Sequence, residues 1–121
     1  MRTEPPSKFE AAILGQIASE TTDSALRKQL ADIQVSNREY TGVGCYSHLV
    51  SPEGAPSTRE SYGSGGPLSG PDFESSSVEH GGGTLLWFKE GRADCLEIYA
   101  YGNYLPADHA DILAFTLIKR A

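Results

Sequence analysis

Three histidines, two cysteines and one carboxylate set inside an apolar run are the groups of this chain best suited to proton transfer, metal binding or nucleophilic attack. His80 is the most suggestive. It follows Glu79, precedes Gly81–Gly83, and stands where a flexible segment enters an apolar strand, a common location for functional groups. Imidazole is also the side chain most readily used for proton transfer near neutral pH. Glu97 lies between Leu96 and Ile98, where a carboxylate needs a partner or water. In a hairpin turned at Glu90-Gly91, Thr84 stands opposite Glu97, and the chain from His80 has the length to curl back toward it. His80 and Glu97 are therefore the weak candidates for catalysis. The competing reading has the His80 ring capping the strand start, with the glycines supplying only conformational freedom. For Glu97 it has a half-exposed strand position paired with Arg38, Arg59 or Arg92.

The other clusters are poorer. Structural zinc sites draw ligands from closely spaced pairs such as C-x2-C, and here the nearest pair is Cys45 and His48. An odd separation puts the two on opposite faces of a strand unless the strand bulges, for instance at Gly44. Independent roles are expected for them, with no metal and no cofactor. Ser64 and Ser69 lack a G-x-S-x-G elbow. Gly63-Ser64-Gly65-Gly66 lacks the Gly-Lys-Ser/Thr and the G-x-G-x-x-G of phosphate and dinucleotide loops.

The elements that must position these groups follow from periodicity. Ser7-Lys8-Phe9-Glu10 has the form of a capping box, and Phe9, Ala12, Ile13 and Ile17 recur at helical spacing after it. Gly15 costs that helix about 1 kcal/mol relative to Ala. Thr21–Ser24 breaks it and offers several N-cap oxygens for a second helix, with Asp23 well placed against the positive end of its dipole; that helix bears Leu26, Leu30 and Ile33 and ends near Gln34. From Tyr40 the period becomes two, with Val43, Cys45, Ser47 and Leu49 on one side and Tyr46, His48 and Val50 on the other. Residues 51–83 contain 20 Gly, Ser or Pro among 33 positions and read as a long surface loop, with Tyr62, Leu68, Phe73 and Val78 as its anchors.

The stretch 81–105 holds two apolar, β-prone runs joined at Glu90-Gly91. A regular hairpin there pairs Lys89 with Arg92, Phe88 with Ala93, Trp87 with Asp94, Leu86 with Cys95 and Leu85 with Leu96. One face then carries Leu85, Trp87, Leu96, Ile98 and Ala100, and the other Leu86, Phe88, Cys95, Glu97, Tyr99 and Tyr101. Both faces are substantially apolar, which a sheet open to water on one side does not need. Two helices cover only one of them. The second must be covered by the long loop, by a partner subunit or by a ligand. Gly102–Pro106 reads as a turn and Ile112–Ile118 as a last strand with Leu113, Phe115 and Leu117 on one face.

A chain of 121 residues with 39% hydrophobic residues suits a single α+β domain over residues 1–121, two N-terminal helices packed on a mainly antiparallel sheet of about four strands. A net charge of −6 and the absence of any Lys/Arg cluster speak against nucleic acid. No apolar run is long enough to span a membrane, and the N-terminus has no apolar core of a signal peptide. A cytoplasmic setting is expected, with Cys45 and Cys95 as free thiols.

The run from His80 to Gly102, followed by Leu105-Pro106, resembles a pattern in small uncharacterised bacterial proteins: a Gly-rich start, an apolar strand, a short turn, a Leu-Glu strand with an aromatic end, and a Pro. Tyr40–Tyr46 resembles their earlier strand. The resemblance implies no activity. The expectation for function is a non-catalytic bacterial binding or regulatory protein that recognises a protein partner, in the manner of a small acidic immunity protein, or pairs with itself as a homodimer. Tyr99, Tyr101, Tyr104 and Trp87 are the expected interface residues. The alternative is a small enzyme or small-molecule binder using His80 and Glu97 under a lid formed by 51–83.

Overall fold

Ser7 begins the first helix as its spacing requires. Its hydroxyl accepts from the Glu10 amide at 3.1 Å, and the Glu10 carboxylate accepts from the Ser7 amide at 2.7 Å. The computed structural model describes residues 2–102, 104–108, 112 and 114–119. In it, α1 spans Lys8–Glu20 and turns Phe9, Ile13, Leu14 and Ile17 inward. Asp23 caps α2, Ser24–Ala31, by accepting from the amides of Ala25 and Leu26. α1 lies where the periodicity puts it, whereas α2 ends at Ala31, short of the expected Gln34, and Ile33 is buried just beyond the helix.

The sheet is larger than the sequence suggests, with seven strands among the described residues instead of about four. A strand absent from the sequence reading, β1 at Gln34–Tyr40, pairs antiparallel with β2 at Gly44–Val50. Its sequence hides it: the register shifts between Val35 and Asn37, and a bulge resets the alternation that marks a strand. One of its inward positions is Arg38 instead of an apolar residue. On β2, Cys45, Ser47 and Leu49 are buried as expected. Val43 is not, because it belongs to the turn between β1 and β2 and is exposed.

The expected 51–83 loop is mostly a strap bonded to the sheet. It contains a turn of 3-10 helix at Ser61–Ser64, β3 at Leu68–Ser69, β4 at Asp72–Ser75 and the first residues of β5, Val78–Lys89. Gly65, β3, Gly70 and β4 run antiparallel along one edge of β5. The predicted anchors hold it: Phe73 and Val78 are fully buried, and Tyr62 and Leu68 pack against the core. Sequence composition suggested a loop because an edge strand made mostly of backbone contacts needs few large side chains.

Strand β6, Arg92–Ala100, forms the hairpin with β5 around Glu90 and Gly91, both at positive φ. The register agrees with the regular hairpin at Lys89–Arg92 and Phe88–Ala93 and then slips by one residue. Trp87 faces Cys95, Leu86 faces Leu96, Leu85 faces Glu97 and Thr84 faces Ile98. The physical cause is a bulge at Ala93-Asp94, stabilised from outside the hairpin. The Ala93 amide donates to the side-chain oxygen of the fully buried Gln29 at 2.9 Å, and the Gln29 amide group donates to the Gly91 and Pro56 carbonyls. A ladder donor freed by the bulge is thus paired with a helix side chain.

The strand order is β1-β2-β6-β5-β4-β7, with β3 beside β4 on the edge of β5 and with every pairing antiparallel. β7, Phe115–Ile118, is shorter than the expected strand, and Leu113 lies outside the described residues. Phe9 meets Phe73 and Phe115 edge-on at 5.0 and 4.9 Å, joining α1 to β4 and β7 in one core. Among the described residues, no helix is long and apolar enough to cross a membrane.

Candidate functional site

The slip at Ala93-Asp94 decides which side chains share a face. On the inner face, against the helices, stand Thr84, Leu86, Phe88, Ala93, Leu96 and Ile98, all buried. Trp87 moves to the outer face with Cys95, Glu97 and Tyr99. The regular register had placed Trp87 opposite them and had put Leu86 and Phe88 beside them. Three cross-strand rows result: Trp87–Cys95–His48, Leu85–Glu97–Tyr46 and Gly83–Tyr99–Gly44.

Glu97 is therefore opposite Leu85, not Thr84. His80 lies five positions further along β5, roughly 16 Å at strand rise, so the structure does not bring His80 and Glu97 together. The imidazole of His80 is exposed and approaches Glu79 at 3.6 Å, and its own φ of 66° marks a kink beside Gly81. Glu97 accepts a hydrogen bond from the Trp87 indole at 3.0 Å. None of the three arginines suggested for it serves that role: Arg38 turns inward and Arg92 donates to the Ala55 carbonyl, while no bond joins Arg59 to Glu97 among the described residues.

The remaining candidates are spread around this face. Tyr99 and Tyr101 meet edge-on at 5.6 Å, and the Tyr101 hydroxyl donates to Asp72 at 2.9 Å. Tyr104 is highly exposed in the segment after β6. His48 is bonded to Glu39 on β1 at 2.7 Å. Cys45 faces inward opposite Ile98 and Cys95 outward opposite His48, so the two free thiols are separated by the sheet. Burial, reinforced by the charges of Asp94 and Glu97, pushes the Cys95 thiol up to about 12, which suppresses the reactive thiolate.

Most described bonds of the 51–83 strap lie away from the outer face. Thr58 donates to the Gly91 carbonyl, and Pro56 and Ala55 lie against Gln29 and Arg92, on the side of α2 and the hairpin tip. The Thr58 and Tyr62 hydroxyls both donate to the Asp23 carboxylate. Burial pulls the Asp23 carboxyl upward. The bonds from Thr58, Tyr62 and the Leu26 and Ala25 amides outweigh it and hold the group below its usual value.

Two features escape sequence reasoning, one polar and one apolar. Glu10 is fully buried. Beyond its capping role it accepts from Arg38 Nε at 2.9 Å, from Arg38 Nη2 at 2.6 Å and from the Ser47 hydroxyl. Arg38 also reaches Glu4, and the Glu10 contact leads in holding the guanidinium charged. With every oxygen occupied inside the fold, this cluster ties α1 to β1 and β2. The second feature is a groove of about 430 Å³ between the helices, lined by Leu14, Gly15, Ala18 and Leu30. Its one titratable lining residue, Arg27, donates to the Thr21 carbonyl. Among the described residues no His, Cys, Asp and Glu cluster is arranged to hold a metal ion.

Compared with known proteins, the chain matches no family model, no curated protein and no solved structure.

Proposed function

We propose that this is a non-catalytic binding protein whose outer sheet face docks a protein partner, in the manner of a small acidic immunity protein. The supporting observation is the single-layered sheet: the helices pack on one face, while Tyr46, Leu85, Trp87 and Tyr99 stand on the other with no described helix over them. Large aromatic side chains with one polar end are suited to an interface that is wet when free and dry when bound. The resemblance of 40–46 and 80–106 to small bacterial proteins underlies the bacterial setting in this reading. A cytoplasmic location belongs to the same reading.

The test is affinity capture from native lysate in parallel with the wild-type protein and a Trp87→Ala variant of verified fold. A protein recovered stoichiometrically with the wild type and lost with Trp87→Ala is the expected result. A wild-type protein that recovers nothing, or a captured protein indifferent to Trp87→Ala, contradicts it.

A further inference from the structure

Glu97 occupies the middle of the outer face. Leu85 and Tyr46 flank it across the neighbouring strands, Trp87 and His48 stand on its diagonals, and Cys95 and Tyr99 lie two positions away along β6. The Trp87 indole occupies one of its carboxylate oxygens. His48, the imidazole in that ring, is already bonded to Glu39, a second carboxylate one strand further out and well exposed. The face is short of cations. Lys89 and Arg92 are paired at the hairpin tip, with Arg92 turned to a backbone carbonyl, and the other described outward positions of the strands are neutral, acidic or histidine. The chain as a whole carries −6.

We propose that the outer face receives a cationic side chain, Arg or Lys, from a basic segment of a different protein, held between Glu97 and Glu39 against the rings of Trp87 and Tyr46. The proposal rests on the protein-binding reading above and adds the chemistry of the partner. A guanidinium stacks on an aromatic face while its edge donates to carboxylates, and both partners are displayed here on one flat surface. Enclosing a carboxylate under a partner without a cation leaves a buried unpaired charge. A second copy of this chain fits the face poorly, because isologous contact sets Glu39, Glu97 and Glu74 against their own copies with no central cation to match.

The experiment titrates the isotope-labelled full chain, by amide and indole NMR shifts at low salt, with an acetylated and amidated glycine-spaced peptide containing two arginines. Its control replaces both arginines with citrulline, which keeps the shape and removes the charge. The expected result is saturable shifts at the Trp87 indole N–H and at the Tyr46 and Glu97 amides, with the citrulline peptide at least about tenfold weaker. Glu97→Gln and Glu39→Gln are each expected to weaken the arginine peptide severalfold while the spectrum keeps its native dispersion. Equal binding of the two peptides, shifts mapping away from this face, or indifference to both variants overturns the proposal. If any of these occurs while capture still depends on Trp87, the protein-binding reading stands and the cationic partner alone is wrong. A dimer seen by sedimentation equilibrium and dispersed by Trp87→Ala overturns the proposal in favour of a second copy.

Discussion

Replacing Gln29 by Leu tests whether the bulge that composes the outer face is held from outside the hairpin. Leucine has nearly the volume of glutamine, so the substitution removes hydrogen bonds with little change in packing. The Ala93 amide and the Pro56 carbonyl lose the partner that Gln29 gives them, while the Gly91 carbonyl keeps the Thr58 amide at 2.8 Å. The buried Ala93 amide left unpaired costs about 1–3 kcal/mol, and the Pro56 carbonyl, in an exposed residue, can turn to water, so the loss should be about 1–3 kcal/mol. Against a total stability of about 5–15 kcal/mol for a domain of ordinary size, that is a large fraction. Urea unfolding followed by Trp87 fluorescence, the chain having a single tryptophan, should show the midpoint falling with an unchanged slope. A loss below about 0.5 kcal/mol, less than one such orphaned group, would show that the hairpin sets its own register and refute the role given to Gln29.

Arg38→Met leaves the fully buried Glu10 carboxylate with the Ser47 hydroxyl and the Ser7 amide but no counter-charge. Breaking a buried pair this way costs about 3–5 kcal/mol, and because Arg38 keeps some solvent exposure the lower half of that range is expected in urea unfolding. The Asp23 carboxyl is held below the usual value of an aspartate, so its contribution to stability is present above the unfolded pKa and is lost as pH falls through the folded one. Asp23→Asn should therefore flatten the acid limb of stability below about pH 4, read from urea midpoints across pH. Cys95, with its thiol pushed up to about 12, should react with iodoacetamide at pH 8 more than tenfold slower in the folded protein than in urea, measured by mass spectrometry.

Much of the fold is legible in the sequence because local signals dominate it. The capping box, the Asp23 cap and the Glu90-Gly91 turn each lie within a few residues of what they control. The missed features are nonlocal. The hairpin slip depends on Gln29, more than sixty residues from Ala93, and β1 depends on Arg38 reaching Glu10 across the core. The 51–83 segment is ordered by backbone pairing to β5, which composition does not report. The slip explains why Trp87 joins Glu97 and Tyr99, which lie on one face as expected. The His80–Glu97 pairing fails for another reason: it required the chain from His80 to curl back, and residues 80–84 instead run on as part of β5.

A partner docked on the proposed outer face would be reported directly by Trp87. The indole is half-buried, bonded to Glu97 and the only one in the chain. Acrylamide quenching of Trp87 should be measured on the protein alone and in complex with the protein recovered by capture, observed through a partner preparation labelled with a non-fluorescing tryptophan analogue. A several-fold smaller quenching constant and a blue-shifted emission are expected in the complex. An unchanged constant in a stoichiometric complex would contradict docking on this face, because the partner would then be bound elsewhere on the molecule.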